Sequence, residues 1–252
     1  MSMSMNNNEN YNQSSDMSNK SFENFIVNET NAKGYQACLS YAKGLNDFQN
    51  PLILCGPSPC GKTHLLYAIK NYLKSNEPSL KVCVVPFDDF ISLFVEGLHK
   101  KDLSEFKARY EPNDVLMLDN AQFLAGLSGT QEYFAEIFHE MYLSGKRILL
   151  VSDRPSKWYK PLYDNLNDKI ETFQIVDIEV PDYSIRKKYL QGIANQKPDI
   201  LTANMIEYIS ASKRISFSAL PGLFRKLCLF EDMTGKHLTT RSIIEVIKSY
   251  EK

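Results

Sequence analysis

Beyond residue 50 the chain switches repeatedly between two apolar periodicities. Short, nearly continuous apolar runs read as strands buried on both faces: PLILC (51–55), KVCVV (81–85), DVLML (114–118), RILLVS (147–152) and FQIVDIEV (173–180). Between them apolar residues recur every three or four positions and predict helices. These are THLLYAIKNYLK (63–74), DDFISLFVEGL (88–98), DLSEFKARY (102–110), TQEYFAEIFHEMYLSG (130–145) and a short stretch ending near Lys169. An aspartate is placed to cap the second, and a glycine closes the fourth. Phe134, Ile137, Phe138 and Met141 form the stripe that covers the sheet. Strands alternating with helices predict a parallel sheet with helices on both faces. After Pro181 the strands stop, and four helical patterns follow at 183–195, 202–212, 218–233 and 239–250, with Pro221 early in the third. The expected organisation is a disordered tail over 1–20, an αβ domain over 21–180 and a helical domain over 181–252. The tail reading rests on six Asn and five Ser with few large apolar residues.

Composition narrows the function classes. A net charge of −1 gives no global field to attract nucleic acid. The five cysteines (38, 55, 60, 83, 228) sit mostly in apolar segments and read as reduced, buried residues of a cytoplasmic protein. His64, His99, His139 and His237 lack metal-ligand spacing. No apolar run reaches the roughly 18 residues of a membrane span, and the first residues do not resemble a signal peptide.

The stretch GPSPCGKT (56–63) fits G-x-x-x-x-G-K-T between a strand and a helix, the context that gives this pattern meaning. Gly56, Pro57, Ser58, Pro59, Cys60 and Gly61 form a loop whose backbone amides would face phosphates. Lys62 would add charge, and Thr63 could ligate magnesium. Asp119, ending the third strand, is placed to hold the same ion. ATP or ADP with Mg²⁺ is therefore the expected cofactor. Cys60 reads as filler in that loop, although a helix start would lower its pKa if it were exposed.

Several motifs together resemble the AAA+ domain of the bacterial replication initiator DnaA: FENFIV with Asn31, GKTHLLYAI, EFKARY, DVLMLDNAQFLAG and SGKRILLVSDRPSKW. The resemblance spans about residues 21–250. It implies an AAA+ P-loop NTPase fold, a five-stranded parallel sheet flanked by helices and followed by a small all-helical lid. It implies that Val27 and Asn31 border the adenine, that His64 belongs to the nucleotide motif, and that Asp153 is the first sensor. The departures are as informative. Asn120 stands where hydrolysing members carry a second acid, and an amide cannot take a proton from water. Asn165, Asn167 and Lys169 replace three arginines, Lys169 falling at the arginine-finger position. Ser218 occupies the lid sensor position, with Arg214 as a possible substitute.

The chain is expected to end at Lys252 without the family's basic DNA-reading domain, and its tail is too short for the helicase-recruiting domain. In that outline it is similar to the short regulatory paralogue Hda, whose strand also ends in Asp-Asn. Hda partners the sliding clamp, but Gln13 followed by Ser-Ser-Asp does not match a clamp-binding peptide, which leaves clamp binding unsupported. The implied function is an ATP- or ADP-binding protein of replication initiation or its regulation. It would act through contacts with a DnaA-type initiator or another replication protein, or by self-association, with weak or absent hydrolysis. The alternative is an active ATPase that loads or remodels a helicase or other DNA-processing complex. Sequence-specific DNA binding is not expected. Lys100, Lys101, Lys107 and Arg109 offer at most a weak single-stranded DNA contact, and a solvated helix face accounts for them better. Arg186, Lys187 and Lys188 carry the same two readings. Trp158 reads as a packing anchor ahead of an exposed partner contact.

Overall fold

The computed structural model describes residues 17–44, 50–124, 128–159, 164, 174–235 and 237–248. The predicted helical stretch near Lys169, with Asn165 and Asn167, lies outside these residues, as does most of the predicted tail. Two compact units emerge. The first comprises residues 1–25 and 31–179, and the second residues 26–30 and 180–252.

In the first unit five parallel strands, β1 (Leu52–Cys55), β2 (Val82–Pro86), β3 (Val115–Asp119), β4 (Arg147–Ser152) and β5 (Gln174–Asp177), are ordered β2-β3-β4-β1-β5. Side chains alternate across a strand, and here each alternate set enters its own core. Ile53, Cys55, Leu116, Leu118, Ile148 and Leu150 join one cluster; Leu52, Leu54, Val115, Met117, Leu149 and Val151 join the other.

The first cluster is covered by α3 (Phe87–Lys100), α4 (Ser104–Tyr110) and α5 (Ser128–Leu143), which contribute Phe87, Phe90, Phe94, Phe106, Phe134 and Phe138. Their rings meet at tilted or edge-on angles, as between Phe90 and Phe106 at 5.0 Å. The second cluster is covered by α1 (Ala32–Lys43) and α2 (Lys62–Asn76) through Cys38, Tyr41, Leu65, Leu66, Ile69 and Leu73. The pattern of the sequence does not predict α1. In α3 the expected aspartate cap is absent. Pro86 precedes the helix without a side-chain hydrogen bond, while Asp88 and Asp89 lie in its first turn, where their charge favours the helix dipole.

The second unit packs α6 (Tyr183–Ala194), α7 (Ala203–Ala211), α8 (Leu220–Thr234) and α9 (Thr240–Lys248) around Leu190, Ile209, Leu220, Leu223, Leu227 and Ile243. Side chains start two of the helices. Asp182 accepts from the Ile185 N–H at 2.9 Å, and Thr202 caps α7 through Met205. The Arg186-Lys187-Lys188 run is not a basic surface. Arg186 is buried, and its guanidinium donates to the carbonyls of Ser210 at 3.0 Å, Ser212 at 2.9 Å and Ile209 at 3.4 Å. It closes the end of α7, whose last carbonyls lack helical partners. Lys187 pairs with Glu207. Arg186→Ala is expected to cost about 2–3 kcal/mol, because it strands those carbonyls. Urea unfolding that shows no loss of stability would refute this role.

Candidate phosphate site

Parallel register brings the carboxyl ends of the strands to one edge: Cys55 lies beside Ser152 and Asp177, and Asp119 beside Pro86. In open α/β sheets that edge, with its loops and helix starts, is where ligands bind. The loop of residues 56–61 leaves β1 there and leads into α2.

Two glycines give the loop its path. A Cβ on Gly56 would sit 2.3 Å from the Ile178 carbonyl oxygen, so only hydrogen fits. Gly61 has φ +97, a left-handed conformation, and the Phe25 ring edge lies 2.7 Å from where its Cβ would be. Phe25 in turn stacks on Tyr35 and meets His64 edge-on, and His64 Nε2 lies 2.9 Å from the Ser21 carbonyl oxygen. These contacts fold the entry segment against the start of α2. Pro57, Ser58 and Thr63 are exposed, and Asn31 is buried. Val27 belongs to the second unit, and Lys169 lies outside the described residues.

Lys62 is buried, with 6% of its side chain exposed, and its charge is held at three points. Nζ lies 2.7 Å from the Gly56 carbonyl oxygen, 2.7 Å from Asp153 Oδ1 and 3.6 Å from Cys60 Sγ. The loop thus wraps its own lysine, and the predicted sensor carboxylate serves as counter-ion. Cys60 is buried, and burial raises its thiol pKa against the opposing pull of Lys62; the lowering considered for an exposed thiol does not occur. Asp119 is half-buried at the end of β3. Burial raises its pKa first of all, and Asp153 adds to the rise, while the Asn120 amide and Lys62 oppose it. Its Oδ1 accepts the Asn120 N–H at 2.9 Å. Asn120 itself has φ +60, a region asparagine enters more readily than most residues.

The sequence links Asp119 to the loop of Lys62 and Thr63 through a shared ion, and Asp153 only through the resemblance; the structure pairs Asp153 directly with Lys62. Two neighbours escaped notice. Tyr67 on α2 lies close enough to Asp119 for that carboxylate to raise its pKa, secondary to burial. Tyr159 ends a 3-10 turn, Ser156–Tyr159, and is fully buried behind the site. Trp158, in the same turn, leaves 43% of its surface exposed beneath the Arg154 guanidinium, so the expectation of a packing anchor is not met. Of the basic cluster, Lys100 pairs with Glu96 at 2.6 Å and Arg109 lies over the Tyr110 ring. Ser218 contacts Ser216 at 3.0 Å, and Arg214 is exposed in the turn before them.

A profile described as the bacterial DnaA ATPase domain matches residues 17–177. The chain belongs to the bacterial DnaA family. The DnaA initiator of Nautilia profundicola is 36% identical over 214 residues, covering 85% of this chain and 48% of that protein. The chain spans about half the length of the curated DnaA relatives it matches. The crystal structure of domain III of Thermotoga maritima DnaA superposes with a TM-score of 0.77 at 30% identity, over 92% of this chain and 97% of that one. AMPPCP-bound DnaA from Aquifex aeolicus gives 0.68 at 32%, over 83% and 65%. The fold is therefore the AAA+ architecture of DnaA, an αβ domain with a C-terminal helical lid.

Because burial raises the Asp119 pKa, its charged form opposes folding. Above that raised pKa, Asp119→Asn is expected to increase the thermal midpoint of the ligand-free protein with chelator present. The gain should shrink as pH falls through the raised pKa and vanish below the ordinary value of 3.8, where Asp119 is neutral folded or unfolded. Thermal melts of both proteins across that range check it, and an equal midpoint at pH 7 would sink it.

Proposed function

We propose that this chain binds ATP or ADP with Mg²⁺ at residues 56–63 and uses the bound nucleotide as a state signal in replication initiation or its regulation. It would act through contacts with a DnaA-type initiator or another replication protein, with little hydrolysis of its own. The observation that carries this reading is the Lys62–Asp153–Asp119 group around a glycine-shaped loop, with Asn120 next to Asp119. The donor set suits the cofactor. Loop amides and Lys62 answer phosphate charge. Thr63 and Asp119 are hard oxygen ligands for Mg²⁺, and a cation would relieve the half-buried Asp119 carboxylate.

Asn120 makes turnover slow. Its side chain can hold a water but accepts no proton at neutral pH. Lys169, assigned to the arginine-finger position, would bring charge to a neighbouring subunit's phosphate without guanidinium's planar fork. Val27 and Asn31 are assigned to the adenine, and Asp153 to sensing the phosphates once Lys62 turns toward them. Self-association through the AAA+ surface fits this family, as does a weak single-stranded DNA contact near Lys101 and Lys107. The Gln13 segment gives no support for clamp binding. The likeness to the Hda paralogue rests on the Asp119-Asn120 pair. Among the described residues no helix is long and apolar enough to cross a membrane, and the site of action proposed is the cytoplasm.

The test is direct. Protein loaded with labelled ATP and Mg²⁺ should retain unhydrolysed ATP over several hours. Asn120→Asp, which keeps a residue tolerant of positive φ and restores an acid, should raise single-turnover hydrolysis at least about tenfold. Rapid conversion to ADP by the unaltered protein would overturn the slow-turnover reading, and failure to retain any nucleotide would overturn the binding reading.

A further inference from the structure

Behind the phosphate site four groups form one buried chain of hydrogen bonds. The Tyr159 hydroxyl lies 3.0 Å from the Ala121 carbonyl oxygen and in hydrogen-bond contact with the Ser152 hydroxyl. Ser152 Oγ also lies 3.0 Å from the Arg154 backbone nitrogen. Tyr159 and Ser152 are both fully buried. The direction of the outer bonds follows from what the groups can do. A carbonyl only accepts and an amide N–H only donates. The Tyr159 hydroxyl is the donor toward both Ala121 and Ser152, its one proton shared between the two acceptors. Ser152 Oγ accepts from the Tyr159 hydroxyl and from the Arg154 N–H. The chain joins the Arg154 N–H, Ser152, Tyr159 and Ala121, and breaking any link strands a buried polar group.

Its two ends flank the acidic groups of the site. Arg154 follows Asp153, the counter-ion of Lys62. Ala121 follows Asn120, whose amide binds Asp119. We propose that Tyr159 is a positioning residue that locks the turn carrying Asp153 to the turn carrying Asp119 and Asn120. When phosphate draws Lys62 away from Asp153, both turns then respond together. This rests on the nucleotide reading above. It goes further in naming the residue that couples the two acidic turns.

The same chain reaches the surface. The Arg154 guanidinium sits 5.2 Å from the centre of the Trp158 ring, and Trp158 is the sole tryptophan of the sequence. The Trp158 carbonyl accepts from Gln131 Nε2 at 3.2 Å, which anchors its backbone on α5. Any displacement of Asp153 shifts Arg154 over the indole while the backbone beneath stays fixed. Tryptophan emission therefore reports the coupling.

The experiment titrates the full chain with ATP and Mg²⁺. Filter retention of labelled ATP measures binding, and tryptophan emission is read on the same samples. The unaltered protein should show an emission change that saturates with the binding curve. Tyr159→Phe keeps the ring and removes the hydroxyl. It should bind ATP within about tenfold of the original affinity, yet lose most of the emission change at saturating ATP. Ser152→Ala breaks the adjoining link, should lose the signal likewise, and carries the test if Tyr159→Phe does not fold. A full emission change in a saturated, folded variant overturns the proposal. So does ATP binding by the unaltered protein without any emission change, which leaves the nucleotide reading standing. No retained ATP in the unaltered protein removes both.

Discussion

The central strands of the sheet are covered on both faces, and the rest of the first unit follows from that constraint. A strand closed to water above and below must be apolar at every position, so β1 and β3 carry continuous runs rather than alternation. Polar groups are then admitted only where the strands stop. Parallel register makes the strands stop together, at Cys55, Asp119, Ser152 and Asp177. The carboxylates, the wrapped lysine and the strained glycines share one edge because no interior position can take them. A similar economy holds in the second unit. Arg186 enters the interior only by satisfying three carbonyls at the end of a helix.

Legibility in the sequence followed the same physics. Four of the strands agree with their apolar runs to within a residue or two, since nothing but a doubly covered strand needs such a run at that length. The fifth is shorter than FQIVDIEV suggests. Ile178 leaves the strand to pack against Gly34, where it lies closer than any Cβ would allow. Helix α1 escaped because its buried stripe is Gly34, Cys38, Tyr41 and Ala42. The spacing is helical, but small residues and a phenol do not register as an apolar face. The aspartate cap of α3 is absent for a local reason. Strand β2 ends at Pro86 and the helix follows at once from Phe87, which places Asp88 inside its first turn.

At the site, what was legible was contiguous. The G-x-x-x-x-G-K-T segment is one short stretch, and it lies between a strand and a helix as its pattern predicts. The pairing of Lys62 with Asp153 joins β1's loop to the end of β4, and the Tyr159 bond to Ala121 joins a surface turn to the end of β3. Neither has a sequence signature, because a tyrosine after a tryptophan reads the same whether its hydroxyl is buried or free. The basic run at 186–188 divides between interior and surface, as three successive positions on a helix must. Charge counted along a chain says nothing about which guanidinium has been folded inward.

The placement of Cys60 has a consequence for redox chemistry. A cysteine beside a lysine would ordinarily be open to oxidation, since a thiolate next to an ammonium group reacts readily with peroxide. Here the sulfur is shut away from solvent, and burial outweighs the pull of Lys62, so the protonated thiol persists. Burial and protonation both make this sulfur a poor target for oxidants. Modification at this position becomes a record of how often the loop opens, not of how reactive its sulfur is.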